Sequence, residues 1–158
     1  MPAKGRHMLI FLLLTSSPFE IPPKKLAAEL KQIRDGKDER AKNTRIVAYG
    51  YIACAYAHRF VQYDTEATSM QMRRVDPKLV EVQHDKANKA RDIMSRAEKL
   101  AMRDTRTGIS CEGESYLALG DCLAHLMDPE VGQCVDRDGY LAMSLALADF
   151  PELNGGGK

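Results

Sequence analysis

The sequence lacks the local motifs by which the commonest enzymes of nucleotide and acyl chemistry are recognised. It has no G-x-S-x-G nucleophile elbow, no G-x-x-x-x-G-K-[ST] phosphate loop and no dinucleotide-binding fingerprint. The absence of the phosphate loop and of the dinucleotide fingerprint removes the commonest nucleotide enzymes that a sequence motif can identify. An enzyme assembled from distant side chains stays open as an alternative, because such a site leaves no local pattern.

Cysteine is sparse, with four residues in a chain of 158 and no CxxC pair. This spacing contains neither a zinc motif nor a redox motif, and it favours reduced thiols in the cytoplasm or another reducing compartment. If the protein is exported instead, Cys111, Cys122 and Cys134 are close enough in sequence to staple the C-terminal helices, with Cys54 as a fourth partner. The sequence leaves the pairing open.

Long apolar runs are also missing, so no membrane span is predicted. A bilayer requires about 20 apolar residues, and both the run from Met8 to Leu14 and the run from Ile46 to Ala57 are shorter. Basic residues precede the first run, as in a secretory signal, but Pro18 follows Ser17 where cleavage would occur. We therefore interpret the first run as a buried strand or short helix, with export as the alternative.

Helical periodicity is the dominant pattern in the remaining sequence. The hydrophobic share of 44% and the charged share of 28% are typical of a globular protein, and 158 residues fit one domain. We predict an all-α fold, a single-domain irregular bundle of four to five helices with a short N-terminal strand as an option. The domain covers residues 1–152, and residues 153–158, with three consecutive glycines, form a flexible tail.

Two helices are predicted in the first half of the chain. The first covers Lys24 to Asp35 and ends at Gly36. The second runs from Asp38 to about Tyr63 and is interpreted as the central helix, because it is apolar on all sides. We interpret residues 64–75 as a loop or frayed helix end, in which Met70 and Met72 suit recognition of a partner.

Three further helices are predicted in the second half. The third begins with Asp76 as N-cap and Pro77 as first helical residue and continues to Asp104. Its inward stripe is read as Leu79, Val82, Ala90, Ile93, Ala97 and Leu100. The fourth contains Tyr116 to Leu126, and the fifth covers Tyr140 to Phe150, after a turn at Asp138 and Gly139.

No cofactor and no metal site are predicted, because every candidate lacks ligands. Cys54 and His58 are four residues apart, and Glu81 and His84 have the E-x-x-H spacing of di-iron bundles, but no second such motif exists. Residues 134–139 resemble the middle of an EF-hand loop in their spacing. In that alignment a cysteine stands at the first carboxylate position, so an ordinary Asp-Gly turn is the better interpretation.

The charges are distributed unevenly along the chain. Residues 1–110 contain 21 Lys and Arg against 13 Asp and Glu, a net charge of +8, and residues 111–158 contain 2 against 9, a net charge of −7. Such polarity marks a binding surface in one interpretation. In the other, the acidic part (111–152) folds back on the basic part (1–110), and the charges neutralise each other.

These observations favour a non-enzymatic helical module for protein–protein interaction, such as an accessory subunit, adaptor or small inhibitor of a larger assembly. A protein partner is expected, and nucleic-acid binding by the basic helices is the alternative. Tyr49, Tyr51, Tyr56, Phe60 and Tyr63 could stack on bases, although core packing is the favoured role. The hypothetical partner-binding residues are Lys31, Arg34, Arg40, Lys42, Arg45, Arg73, Arg74, Lys86, Lys89, Arg96, Lys99 and Arg103.

Overall fold

The computed structural model of the protein describes residues 19–106 and 110–155. The predicted strand or short helix within residues 8–15 lies outside them. The helices are, in order, α1 (Pro23–Asp35), α2 (Glu39–Met72), α3 (Pro77–Met102), α4 (Glu114–Met127) and α5 (Arg137–Asp149), followed by a 3₁₀ helix (Pro151–Asn154). No strand occurs among the described residues, and the all-α prediction is confirmed.

The described residues divide into two compact units. The terminal unit comprises residues 19–45 and 112–155, and the hairpin unit comprises residues 46–106 and 110–111. Helix α2 contributes to both, since it enters the hairpin unit after Arg45. The prediction of one domain over residues 1–152 stays a prediction. Leu153, the first residue of the predicted tail, is buried in the 3₁₀ helix.

Arg45 connects α2 to the end of α1. It is only 7% exposed, and its guanidinium donates hydrogen bonds to the carbonyl oxygens of Ile33, at 2.7 Å, and Gly36. Carbonyl groups at a helix C-terminus lack intrahelical partners and carry partial negative charge. Arg45 therefore caps α1. Gly36 permits the tight turn, because a Cβ atom there would lie 2.6 Å from the carbonyl oxygen of Gln32.

Helix α5 is the most enclosed helix of the terminal unit. All residues from Tyr140 to Ala146 are buried, and α1, α4 and the 3₁₀ helix contact it. The hydroxyl of Tyr140 accepts a hydrogen bond from the backbone N–H of Ile21 at 3.3 Å. The terminal unit is thus built around α5, whereas the sequence assigns the central position to the helix beginning at Asp38.

A disulfide closes the connection between α4 and α5. Cys122 and Cys134 are bonded to each other, and the chain between them turns through Gly132, which has a φ of 62°. A Cβ atom at Gly132 would lie 2.3 Å from the carbonyl oxygen of Asp121. Glycine is therefore required here on two grounds, the left-handed conformation and the close backbone approach.

All four cysteines are paired, because Cys54 of α2 is bonded to Cys111 within the hairpin unit. This differs from the reduced thiols expected from cysteine spacing. Linear spacing could not reveal the pair, since its members are 57 positions apart in the sequence. The fold brings their Cα atoms to 5.2 Å from each other.

Helix α2 is longer than the sequence predicts. It continues to Met72, so the interpretation of residues 64–72 as a loop or frayed end is wrong. Ala67 and Met70 are buried in a cluster with Val80 of α3. This packing stabilises a segment whose Thr and Ser residues have only moderate helix propensity.

The buried face of α3 also differs from the predicted stripe. Its buried residues are Val80, Ala87, Ala90, Ala97 and Ala101. Ala90 and Ala97 are buried as predicted, but Leu79 and Val82 are exposed, and Ile93 and Leu100 are only partly buried. The inner face is thus rotated by about one residue from the prediction and consists mainly of alanine.

Two aromatic side chains of α2 lie close to basic side chains of α3. Tyr63 lies below the ammonium group of Lys86, and Phe60 lies below the guanidinium of Arg91, with distances to the ring centroids of 6.0 and 5.9 Å. Rings of this size fill the space between two helices when the facing side chains are small. The contacts also show that α2 and α3 run antiparallel, since the later residue of α2 meets the earlier residue of α3.

The sequence predicts no membrane span. Within residues 19–106 and 110–155, no helix combines sufficient length and apolar character to cross a bilayer.

Replacing Arg45 with methionine should lower the free energy of unfolding by about 2 kcal/mol, because two carbonyl groups lose a charged donor. Urea denaturation followed by circular dichroism measures the loss. Arg40→Met, an exposed site on the same helix, is the matched control and should change stability by less than about 0.5 kcal/mol. Equal losses in both variants would contradict the capping role.

Removing the Cys54–Cys111 bond should destabilise the protein more than removing the Cys122–Cys134 bond. The sequence separations are 57 and 12, and chain entropy predicts losses of about 4 and about 3 kcal/mol. Denaturation of the two double Cys→Ala variants tests the order. Intact mass after alkylation without reduction tests the pairing itself, and uptake of four alkyl groups by the native protein would disprove it.

Candidate interaction surface

The turn between α2 and α3 is a Schellman motif. The N–H of Val75 donates to the carbonyl of Met70 at 3.0 Å. The N–H of Arg74 donates to the carbonyl of Gln71 at 3.1 Å. Val75 also packs against the buried cluster that contains Met70, and a hydrophobic contact of this kind often accompanies the motif.

Arg74 occupies the left-handed position of this motif, with a φ of 58°. Glycine usually stands here, because a side chain makes the conformation less favourable by about 1 to 2 kcal/mol. Helix α3 then begins as predicted, with Pro77 as its first residue and the carboxylate of Asp76 accepting the N–H of Lys78 at 3.0 Å. The turn itself does not need arginine, so Arg74 is a candidate for a role beyond local structure.

Large apolar side chains are exposed around this turn. Met72 is 80% exposed, Leu79 53% and Val82 48%. A groove of about 480 Å³ lies between the end of α2 and the start of α3, and Arg74, Glu81 and His84 are among its lining residues. We call Met72, Arg74, Leu79, Val82 and this groove the hairpin tip.

A series of basic and apolar residues continues from the hairpin tip along α3. Its members recur every three or four residues and so share one face of the helix. They are Leu79, Val82, Lys86, Lys89, Ile93, Arg96, Leu100 and Arg103. We call this series the basic flank. It contains no acidic residue, whereas Glu81, Asp85 and Asp92 follow the neighbouring face.

The structure divides the predicted partner-binding residues between the two units. Those in the hairpin unit are exposed: Arg73, Arg74, Lys86, Lys89, Arg96, Lys99 and Arg103. In the terminal unit, Lys31 and Arg40 are exposed and Lys42 is partly buried. Arg45 is buried and used to cap α1, so it is not placed to contact a partner.

Arg34 is engaged within the terminal unit. Its Nε and Nη2 atoms donate to the two carboxylate oxygens of Asp149 at 3.2 and 2.6 Å. A second ion pair joins Arg137 of the acidic part to Glu29 of α1 at 2.8 Å. The Arg34–Asp149 pair joins a base of the basic part to an acid of the acidic part, as the neutralisation interpretation requires, whereas the Arg137–Glu29 pair has the opposite signs.

The aromatic residues considered for base stacking are not displayed on the surface. Tyr49 and Tyr56 are buried. Tyr51, Phe60 and Tyr63 are partly buried. Because Lys86 and Arg91 already lie over Tyr63 and Phe60, these rings serve cation–π contacts within the hairpin unit.

The residues considered for metal binding lie at two places in the hairpin unit. Cys54 is in a disulfide and offers no thiolate beside His58. Glu81 and His84 both line the groove at the hairpin tip. Over residues 19–106 and 110–155, no three His, Cys, Asp or Glu side chains are grouped to hold a metal ion.

The EF-hand-like segment is the start of α5. The carboxylate of Asp136 caps this helix by accepting the N–H of Gly139 at 2.7 Å. Asp138 and Gly139 therefore lie in the first helical turn, and the helix begins at Arg137, slightly earlier than the predicted Tyr140.

Sequence reasoning missed the apolar part of the surface. The helical period assigns Leu79 and Val82 to the core, and the two residues associated with recognition are Met72, which is exposed, and Met70, which is buried. A signal was present in the sequence. Two parallel stripes run along α3, one of alanines and one of larger apolar and basic residues, and the bulky α2 rings favour the alanine stripe as the buried one.

Comparison with known proteins gives no assignment. No protein-family model, no curated protein and no solved structure matches this chain.

Replacing Arg74 with glycine should raise the free energy of unfolding by about 1 kcal/mol, because glycine adopts the left-handed conformation without steric cost. Arg73→Gly is the control. Arg73 precedes the left-handed position and has no positive φ, so this change should lower stability by about 0.5 to 1 kcal/mol. Chemical denaturation compares the two variants, and a destabilised Arg74→Gly protein would contradict the assignment of the turn.

Proposed function

We propose that the chain is a non-enzymatic helical interaction module that binds a protein partner, as an accessory subunit, adaptor or small inhibitor of a larger assembly. The observation that carries this proposal is the hairpin tip, where Met72, Leu79 and Val82 are exposed beside a left-handed Arg74. Methionine and arginine are enriched in protein–protein interfaces, and an apolar centre with a polar rim is typical of them.

The basic flank extends this surface and supports electrostatic recognition. Lys86 and Lys89 follow Val82 on the same face of α3. A partner with apolar side chains surrounded by carboxylates would fit both the hairpin tip and these two lysines. Charges at the edge of an interface act mainly on the association rate, which should therefore fall as salt increases.

Nucleic-acid binding is the second candidate function. The exposed Lys86, Lys89, Arg96 and Arg103 favour it, because basic side chains along one helix face can follow phosphates. The hairpin tip favours a protein partner instead, since phosphate binding gives no role to exposed methionine and leucine. The half-buried rings beneath Lys86 and Arg91 also offer little stacking surface.

The two disulfides bear on where the module acts. Stable disulfides occur mainly in secreted proteins and oxidising compartments. Both pairs therefore support an oxidising location over the reducing compartment expected from cysteine spacing.

A photo-crosslinking amino acid at Leu79 tests the proposed function in the source cells. We expect one crosslinked product containing a discrete partner protein, because Leu79 is exposed at the hairpin tip. The same amino acid at Val135, an exposed apolar site in the terminal unit, is the matched control and should not give that product. A product sensitive to nuclease would identify nucleic acid as the ligand.

The purified partner then permits a binding comparison. Arg74→Gly should weaken binding about tenfold, equivalent to about 1.4 kcal/mol, while the variant protein is as stable as the original or more so. Lys86→Glu with Lys89→Glu should slow association most at low salt. Unchanged affinity in all of these variants would reject the hairpin tip as the interaction surface.

A further inference from the structure

Helix α4 presents an acidic and apolar face. Glu114, Leu117 and Asp121 are exposed and share one side of the helix, being three and then four residues apart. Leu117 is 70% exposed, although it is a large apolar residue. One carboxylate oxygen of Asp121 accepts the backbone N–H of Gln133 at 3.1 Å, which restrains this side chain. Helix α4 contains no lysine or arginine.

The C-terminal half of the basic flank has the complementary pattern. Arg96, Leu100 and Arg103 share one side of α3, being four and then three residues apart. A groove of about 420 Å³ lies here, and its lining includes the partly buried Leu100, the three cations Arg96, Lys99 and Arg103, and the single carboxylate Asp92. Such a groove suits an apolar side chain flanked by carboxylates.

We propose that two copies of this chain associate by antiparallel packing of α4 from one copy against the basic flank of α3 from the other. In this arrangement Leu117 packs on Leu100 and fills the groove. The flanking side chains then form two ion pairs between the copies, Glu114 with Arg103 and Asp121 with Arg96.

The residue spacing favours this direction. From Glu114 the α4 residues follow at intervals of three and four, and from Arg103 backwards the α3 residues follow at the same intervals. On each helix the two charged residues are therefore seven positions apart, which is about 10.5 Å along the helix axis. In a parallel arrangement Leu117 would follow the first charged residue of α4 by three positions, whereas Leu100 follows the first charged residue of α3 by four. The two leucines would then be out of register by one residue, which is a rotation of about 100° around the helix axis.

The charges of the two faces also indicate that α4 of a second copy fits the groove on α3. The α4 face carries only negative charge, and the residues that line the groove on α3 include three cations and one carboxylate, Asp92. Two exposed ion pairs around one leucine make a reversible contact that weakens with salt. On α3 this contact uses Arg96, Leu100 and Arg103, none of which belongs to the hairpin tip, so the two surfaces can be tested with different variants.

Sedimentation velocity at low salt, from about 1 μM to about 1 mM protein, tests the self-association. We expect the sedimentation coefficient to rise with protein concentration, and this rise to disappear at about 1 M salt, where the Debye length is about 3 Å. Arg103→Glu and Glu114→Arg should each weaken association at least tenfold. Their combination in one chain should restore it to within about threefold of the original, because the ion pair is re-formed with exchanged charges.

Leu117→Gln and Lys31→Glu complete the comparison. Leu117→Gln should weaken association, whereas reversal of the exposed Lys31 of α1 should have no effect. Thermal unfolding of each variant verifies that the protein is folded. A wild-type chain that is monomeric throughout, or single and double variants that associate equally well, would overturn the proposal. The crosslinking experiment at Leu79 tests the hairpin tip, so its interpretation does not depend on the result of the sedimentation experiment.

Discussion

The close approach of α3 to the aromatic side chains of α2 is the constraint on which the rest of the hairpin unit depends. The buried residues of α3 are mostly alanine, Ala87 and Ala90 among them, and small side chains let two helices approach each other closely. The larger apolar residues of α3 are consequently displaced to its outer side. There they alternate with lysine and arginine, so the packing inside the hairpin determines the chemistry of its exposed surface.

Local sequence signals predicted the helix boundaries where capping residues mark them. Asp76 with Pro77 begins α3, and Gly36 ends α1, as their preferences indicate. The end of α2 was missed for the opposite reason. An arginine in the left-handed position carries no glycine signal, and the packing of Met70 with Val80 joins residues from two helices. Periodicity also cannot decide between two apolar stripes without the identity of the facing side chains.

The sequence predicts that the candidate surface is basic, but it does not predict which of the basic residues belong to it. The sequence shows an excess of basic residues in the first 110 positions, yet their roles depend on partners far away in the chain. Arg34 binds Asp149, and Arg45 caps the preceding helix, so neither belongs to the exposed set in the hairpin unit. The same limitation applies to the disulfides, whose pairing follows from tertiary structure. The sequence shows how many charged residues there are, and the fold determines which of them are buried and which are exposed.

The Cys54–Cys111 bond also determines how the chain transmits mechanical force. Residues 46–111 form a continuous insertion between the two segments of the terminal unit, and the bond joins this insertion near both of its ends, with Cα atoms 5.2 Å apart. Tension applied to the chain termini therefore passes through the sulfur atoms and bypasses the polypeptide between the cysteines. That bypassed segment would otherwise extend to about 190 Å. The polypeptide between the two cysteines is thus shielded from stretching even when the terminal unit is pulled open.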